Sequence, residues 1–140
     1  MKRQEIDPEG LYAHPSYKRV VTVEGNMKLV FIAGQTPTDE NYQCVAPGDF
    51  EAQYVQVMKN LEVALAAAGA RWEDVTYRRI YAKMGDGADV PTWASQPLPE
   101  YGDGSFRPPS TFIGVTRLGH PDFLVEIDLM AAVPVGERDA

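Results

Sequence analysis

Phe50, Tyr54, Val57, Met58, Leu61, Leu65 and Ala68 recur at intervals of three and four, the spacing that lines one face of an α-helix. Asp49 stands where an N-cap belongs, Glu51 in the first turn complements the helix dipole, and Gly69 follows as a stop. The predicted helix has about five turns. A single apolar stripe must be buried against something, and the rest of the chain offers only strands to receive it. Ala64, Ala66, Ala67 and Ala68 permit close packing on a sheet, while Gln53, Gln56 and Asn60 fall off the stripe and are expected to face solvent or a subunit contact.

The strands are read from alternation and β-branched content. Tyr17–Glu24 and Lys28–Ala33 flank a Gly25-Asn26 turn and are expected to pair as a hairpin. Gly34 follows the second of them, where the missing side chain lets another backbone or a ligand come close, or simply ends the strand. Thr38–Asp49 is a polar connection. Trp72-Glu73-Asp74 leads into a strand over Val75–Met84, and Gly85–Gly104 is irregular. Pro91, Pro97 and Pro99 leave room there for at most a short helix around Thr92–Gln96, with Trp93 and Tyr101 covering a core edge or lining a pocket. Ser110–Thr116 and Phe123–Val133 are two further strands joined by a tight connection through Gly119-His120-Pro121-Asp122. With Met1–Pro15 as an irregular lead-in and Pro134–Ala140 as a polar tail, the chain reads as one α+β domain.

Composition narrows the function. The 140 residues are 44% hydrophobic and 10% aromatic, which fits a folded globule. The formal net charge of −7 is a poor starting point for binding phosphate backbones, and no nucleic-acid partner is expected. Lys2-Arg3, Lys18-Arg19 and Arg78-Arg79 are the adjacent basic pairs, scattered as solvated surface usually is. One cysteine, Cys44, excludes an intrachain disulfide framework and a multi-cysteine metal site. His14 and His120 lie in separate turn-like contexts without ligand spacing, so neither metal nor cofactor is expected. No apolar run approaches the roughly 18 residues that span a bilayer, and no signal peptide is evident, so the expected setting is the reducing cytoplasm.

The last strand holds the most pointed feature. Val125, Ile127, Leu129 and Ala131 alternate with Glu126, Asp128, Met130 and Ala132, which puts two carboxylates on one face of an otherwise apolar run. They belong to a solvated outer face, to a sheet face covered by a neighbouring subunit, or to a site carboxylate on a rigid strand. The last two are compatible, because small-ligand sites often lie between subunits.

Taken together, Pro15-Ser16-Tyr17, FIAGQTP (Phe31–Pro37), the helix Gln56–Val75, RPPSTFIGV (Arg107–Val115) and LVEIDLMAAV (Leu124–Val133) resemble the Rid family, also called YjgF or L-PSP endoribonuclease-like proteins. The resemblance spans roughly residues 15–133. It implies a chorismate-mutase-like mixed sheet with one long helix on one face, a homotrimer, and ligand clefts between subunits. It also implies hydrolysis of reactive enamines and imines such as 2-aminoacrylate, with release of ammonia. By the same resemblance Glu126 positions the attacking water, and Tyr17 and Gly34 are candidate substrate-binding residues. Ser110 and Thr111, as hydrogen-bonding hydroxyls, and Arg107, as a nearby cation, are further candidates.

The resemblance departs at Ser110, where deaminating members carry an arginine that grips the substrate carboxylate bidentately. Arg107 is three residues away, about 10 Å along an extended chain, on the opposite face and behind Pro108-Pro109. It is expected to make a structural or interface ion pair. Phe112 also replaces a small residue, which reshapes the pocket. Two functions follow: an enamine or imine deaminase-like hydrolase with an altered substrate, or a non-catalytic metabolite-binding trimer. RNA cleavage is disfavoured by the acidic balance and the lack of a His or Lys cluster.

Overall fold

The computed structural model describes residues 1–85, 101–102 and 106–136. Its elements run β1 (Lys2–Ile6), β2 (Val20–Glu24), β3 (Met27–Gln35), α1 (Phe50–Ala67), a single 3-10 turn (Trp72–Asp74), β4 (Val75–Lys83), β5 (Ser110–Val115) and β6 (Val125–Pro134). The anticipated short helix around Thr92–Gln96, and Trp93 with it, lie outside the described residues.

The helix forms where its periodicity predicts. Asp49 is the N-cap, its carboxylate accepting from the Ala52 N–H at 3.0 Å. At the other end Gly69 takes φ +70°, and the Ala70 and Gly69 N–H groups return to the Leu65 and Ala66 carbonyls at 2.9 and 3.0 Å. That is the glycine-closed pattern that satisfies the last carbonyls of a helix. Tyr54, Val57, Met58, Leu61 and Leu65 are buried against Val30, Ile32, Ile80, Val125, Ile127 and Leu129 of the sheet.

The main sheet has the order β3-β6-β4-β5, with β6 antiparallel to both β3 and β4 and β4 parallel to β5. β6 takes an interior position because its core-facing residues Val125, Ile127 and Leu129 are almost completely buried. The two C-terminal strands are therefore successive in sequence but not neighbours in the sheet. β4 lies between them, and their connection passes its end, where the Lys83 N–H donates to Leu124 O and the Met84 N–H to Val115 O, both at 2.9 Å.

Two expectations at the N-terminus are corrected. The lead-in is not wholly irregular, since Lys2–Ile6 forms β1 and pairs antiparallel with β2, Lys2 opposite Glu24. The hairpin between the second and third strands is absent: β2 is hydrogen-bonded to β1, and β3 to β6. Gly25-Asn26 is a corner between two sheets, with Gly25 at φ +107° against the Met1 backbone. The physical reason is competition. β1 supplies a five-residue ladder to β2, and Arg3 Nη2 ties that ribbon to Val75 O at 2.9 Å. Tyr101 takes the covering role, its ring 5.2 Å from Trp72 and 6.3 Å from Phe106.

The polar residues of α1 are also not as expected. Gln53 is fully buried, and Gln56 and Asn60 are half-buried. Gln56 Nε2 donates to Thr38 O at 3.3 Å, and Asn60 Nδ2 to Thr36 O and Thr38 O at 3.0 and 2.9 Å. These amides satisfy the backbone of a segment that has left the sheet and has no ladder of its own. They also fix the chain just beyond Gly34.

Candidate active site

The residues named from sequence fall into two groups. Paired residues on adjacent strands share a face, and side chains alternate along a strand. Tyr81 is opposite Glu126, and Arg79 is opposite both Asp128 and Thr111. Glu126, Asp128, Arg79 and Thr111 therefore share the face away from α1. Arg78 is opposite Ser110 and, with buried Ile80 and Ala82, belongs to the core side.

On the open face Glu126 is half-buried. Partial burial first, and the negative charge of Asp128 second, push its carboxyl above the usual range. Asp128 is engaged, accepting from Arg79 Nε at 2.9 Å. The Thr111 hydroxyl is bonded to that of Tyr77. Against Glu126 lies Gly34, in the irregular step of β3 between Ile32 and Gln35. A Cβ on Gly34 would sit 2.2 Å from Glu126 Oε2 and 2.8 Å from Cδ.

That contact makes a prediction. In Gly34→Ala the carboxylate has to swing aside, because it is the mobile partner in the clash. A misplacement of the order of 1 Å costs about 10²-fold in rate. The variant is expected to keep its circular dichroism spectrum and lose activity to that extent. Unchanged turnover would show that the Glu126 position does not matter.

The second group gathers at the start of β5, the edge strand. The Lys18 N–H donates to Arg107 O at 2.9 Å, which brings the Tyr17 segment to the FRPPS loop. Tyr17 stacks on His14, centroids 4.2 Å apart, with the Arg19 guanidinium 5.5 Å above its ring. Ser110 Oγ donates to Pro108 O at 2.8 Å and accepts from Arg78 Nε at 2.9 Å.

Arg78 was missed. Read as part of a solvated basic pair, it is in fact 4% exposed, with its guanidinium 5.1 Å from the Phe106 ring centroid. Burial pulls its pKa down from the ordinary arginine value, although an arginine stays charged in proteins. The strand alternation did carry the signal, since residue 78 has the parity of Ile80 and Ala82.

Other reactive groups are occupied in turns or the core. His14 Nδ1 accepts from the Ser16 N–H, and His120 Nδ1 from the Asp122 N–H, both at 3.1 Å. Burial raises the Cys44 thiol pKa, with a smaller push from Asp122. Among the described residues no three His, Cys, Asp or Glu side chains group so as to hold a metal ion, and no helix is long and apolar enough to cross a membrane.

One long helix on a mixed sheet is the architecture of the Rid and YjgF proteins. Residues 8–133 match the family described as Endoribonuclease L-PSP, and the chain belongs to it. It is 32% identical over 133 residues to the 3-aminoacrylate deaminase RutC of Acinetobacter baylyi, covering 95% of this chain and 100% of the relative. To a RutC family protein of Synechocystis it is 33% identical, over 84% of this chain and 86% of that one. Among solved structures, the Rid family protein YyfB of Yersinia pestis superimposes with a TM-score of 0.75 at 30% identity, covering 95% of this chain and 100% of that one.

Proposed function

We propose that this protein is a deaminase-type hydrolase of a small enamine or imine, with Glu126 as the residue that positions and deprotonates the attacking water. The reaction is R₂C=NH + H₂O → R₂C=O + NH₃, and an enamine enters it after protonation at carbon. Water adds to the carbon of the protonated imine, R₂C=NH₂⁺, as one water proton passes to the carboxylate. That proton then goes to the nitrogen of the carbinolamine. As the C–N bond breaks to release ammonia, the hydroxyl gives its proton back to the carboxylate, leaving the carbonyl and returning the proton taken up in forming R₂C=NH₂⁺. An already activated imine asks for little more than a held water, a base and an anchor.

The observation that carries this reading is the environment of Glu126: half-buried on a strand, beside a glycine, with its carboxyl raised above the ordinary range by burial and by Asp128. A carboxylate so raised is a stronger base than a solvated one. The name of the Acinetobacter relative, a 3-aminoacrylate deaminase, supports the same substrate class.

We infer further that the working unit is a homotrimer. Glu126 and Ser110 lie on opposite sides of one sheet, so a site that uses both needs a second copy. The open face also exposes Leu29 (60%), Phe31 (67%) and Met130 (42%), apolar surface of the kind that subunits cover.

The test is ammonia release from enamines generated in solution, 3-aminoacrylate and 2-aminoacrylate, with the assembly mass measured by sedimentation. Release faster than in buffer, by a particle of three chains, is expected. No acceleration with either compound would overturn the hydrolase, and ligand binding without turnover would leave a metabolite-binding protein. A monomer in solution would remove the shared site.

A further inference from the structure

Arg78 is a buried cation, 4% exposed, with the Tyr54 phenol near enough to favour its charge. Among the described residues it has no carboxylate within ion-pair distance, and one donor, Nε, is committed, to Ser110 Oγ at 2.9 Å. Ser110 cannot neutralise the charge. Its hydroxyl is itself held, donating to Pro108 O at 2.8 Å, and it serves to fix the Nε edge of the guanidinium. The Phe106 ring, 5.1 Å away, adds a cation–π contact. The terminal nitrogens have no acceptor among the described residues.

Leaving a guanidinium in that condition is costly, because a buried charge is ordinarily paired. Chains retain such arrangements most readily where the charge has work to do. Lys18, bonded through its N–H to Arg107 O, also lies at this end of β5, its ammonium paired with Asp7 at 3.0 Å. The open edge of a guanidinium presents two parallel N–H donors, the geometry that matches a carboxylate.

We propose that Arg78, held by Ser110, is the anchor for the carboxylate of a small organic acid ligand. The cation is thus delivered from β4 through the serine of the neighbouring strand. For the choice of substrate this rests on the deaminase reading above, but the binding itself can be measured without turnover. The substrates then remain enamino or imino acids, and neutral imines are excluded.

Pyruvate and its uncharged methyl ester serve as probes, with affinity measured by calorimetry on the wild-type protein, Arg78→Lys, Ser110→Ala and Glu126→Gln. Wild type is expected to bind pyruvate and not the ester. Arg78→Lys loses the two-pronged contact and weakens binding about tenfold or more, and Ser110→Ala weakens it less. Glu126→Gln retains pyruvate binding while losing turnover. Should the lysine variant fail to fold, the Nε–Hε resonance of Arg78 in the wild-type protein is followed by NMR as pyruvate is added, and it is expected to shift with the binding curve.

Equal affinity for acid and ester, unchanged affinity in Arg78→Lys, or an Arg78 resonance that stays still while pyruvate binds would each overturn the proposal. The two readings fail separately. Pyruvate binding through Arg78 without any deamination sinks the hydrolase alone, whereas deamination of 3-aminoacrylate with an unchanged KM in Arg78→Lys sinks the anchor alone.

Discussion

Glu126→Gln is expected to lower the turnover of an enamine or imine substrate by about 10²–10⁴-fold, the usual contribution of a positioned general base. The amide is the same size and still lies against Gly34, so the water site keeps its shape and loses the group that takes the proton. The pH profile gives the more specific readout. The Glu126 carboxyl is raised by burial and by Asp128, and it must be ionised to act. The wild-type rate therefore falls as pH drops through a value above the ordinary glutamate pKa of about 4.3. In the glutamine variant that limb disappears from whatever activity is left.

Stability moves the other way. A carboxyl whose folded pKa is raised favours folding when protonated, an advantage complete below the unfolded pKa and lost as pH rises through the folded one. Once ionised, Glu126 is a burden on the fold, and the glutamine variant is expected to melt no lower than wild type. An inactive variant with a lowered melting temperature would point to a structural role. A variant of full activity would remove Glu126 from the mechanism.

The sequence made legible whatever depends on periodicity along one element. The stripe from Phe50 to Ala68 gave the helix and its face, Asp49 and Gly69 its ends, and alternation from Val125 to Ala131 the buried side of β6. What it hid were relations between elements. Nothing in Gly25-Asn26 reports that β1 takes the edge of β2, since a two-residue link is equally a hairpin turn or a corner. The separation of Ser110 from Glu126 across the sheet follows from register, Ser110 lying opposite buried Arg78 and Glu126 opposite Tyr81, a relation absent from any single strand. Arg78 was obscured for a different reason: arginines are so often exposed that composition outweighed parity. Gln53 failed in the same manner, judged by its polarity and not by the backbone groups that its amide meets.

Gln53 is also where the largest loss of stability is expected. Its side chain, fully buried, ties two other pieces of chain to the helix: Nε2 donates to Ala46 O at 3.2 Å and Asp122 O at 2.9 Å, while Oε1 accepts from the Leu124 N–H at 2.8 Å. Each is a backbone group outside the sheet ladders. Replacing the amide by an apolar side chain of similar length removes this partner from all three, at about 1–3 kcal/mol for each group that stays out of reach of water. Water can reach some of this lost ground, so Gln53→Leu is expected to cost roughly 2–5 kcal/mol and lower the melting temperature on the order of 10 °C. Gln56→Leu, at a half-buried position with one backbone acceptor at 3.3 Å, is expected to cost about 1 kcal/mol or less. The contrast separates a backbone clamp from a loss of helix polarity, which both variants share. Equal melting of the two by denaturant or heat would show that the clamp is dispensable. Leu124 immediately precedes Val125 and Glu126, so the clamp also sets where β6 begins. Gln53→Leu should therefore reduce turnover below the melting temperature as well, by loosening the strand that carries the base.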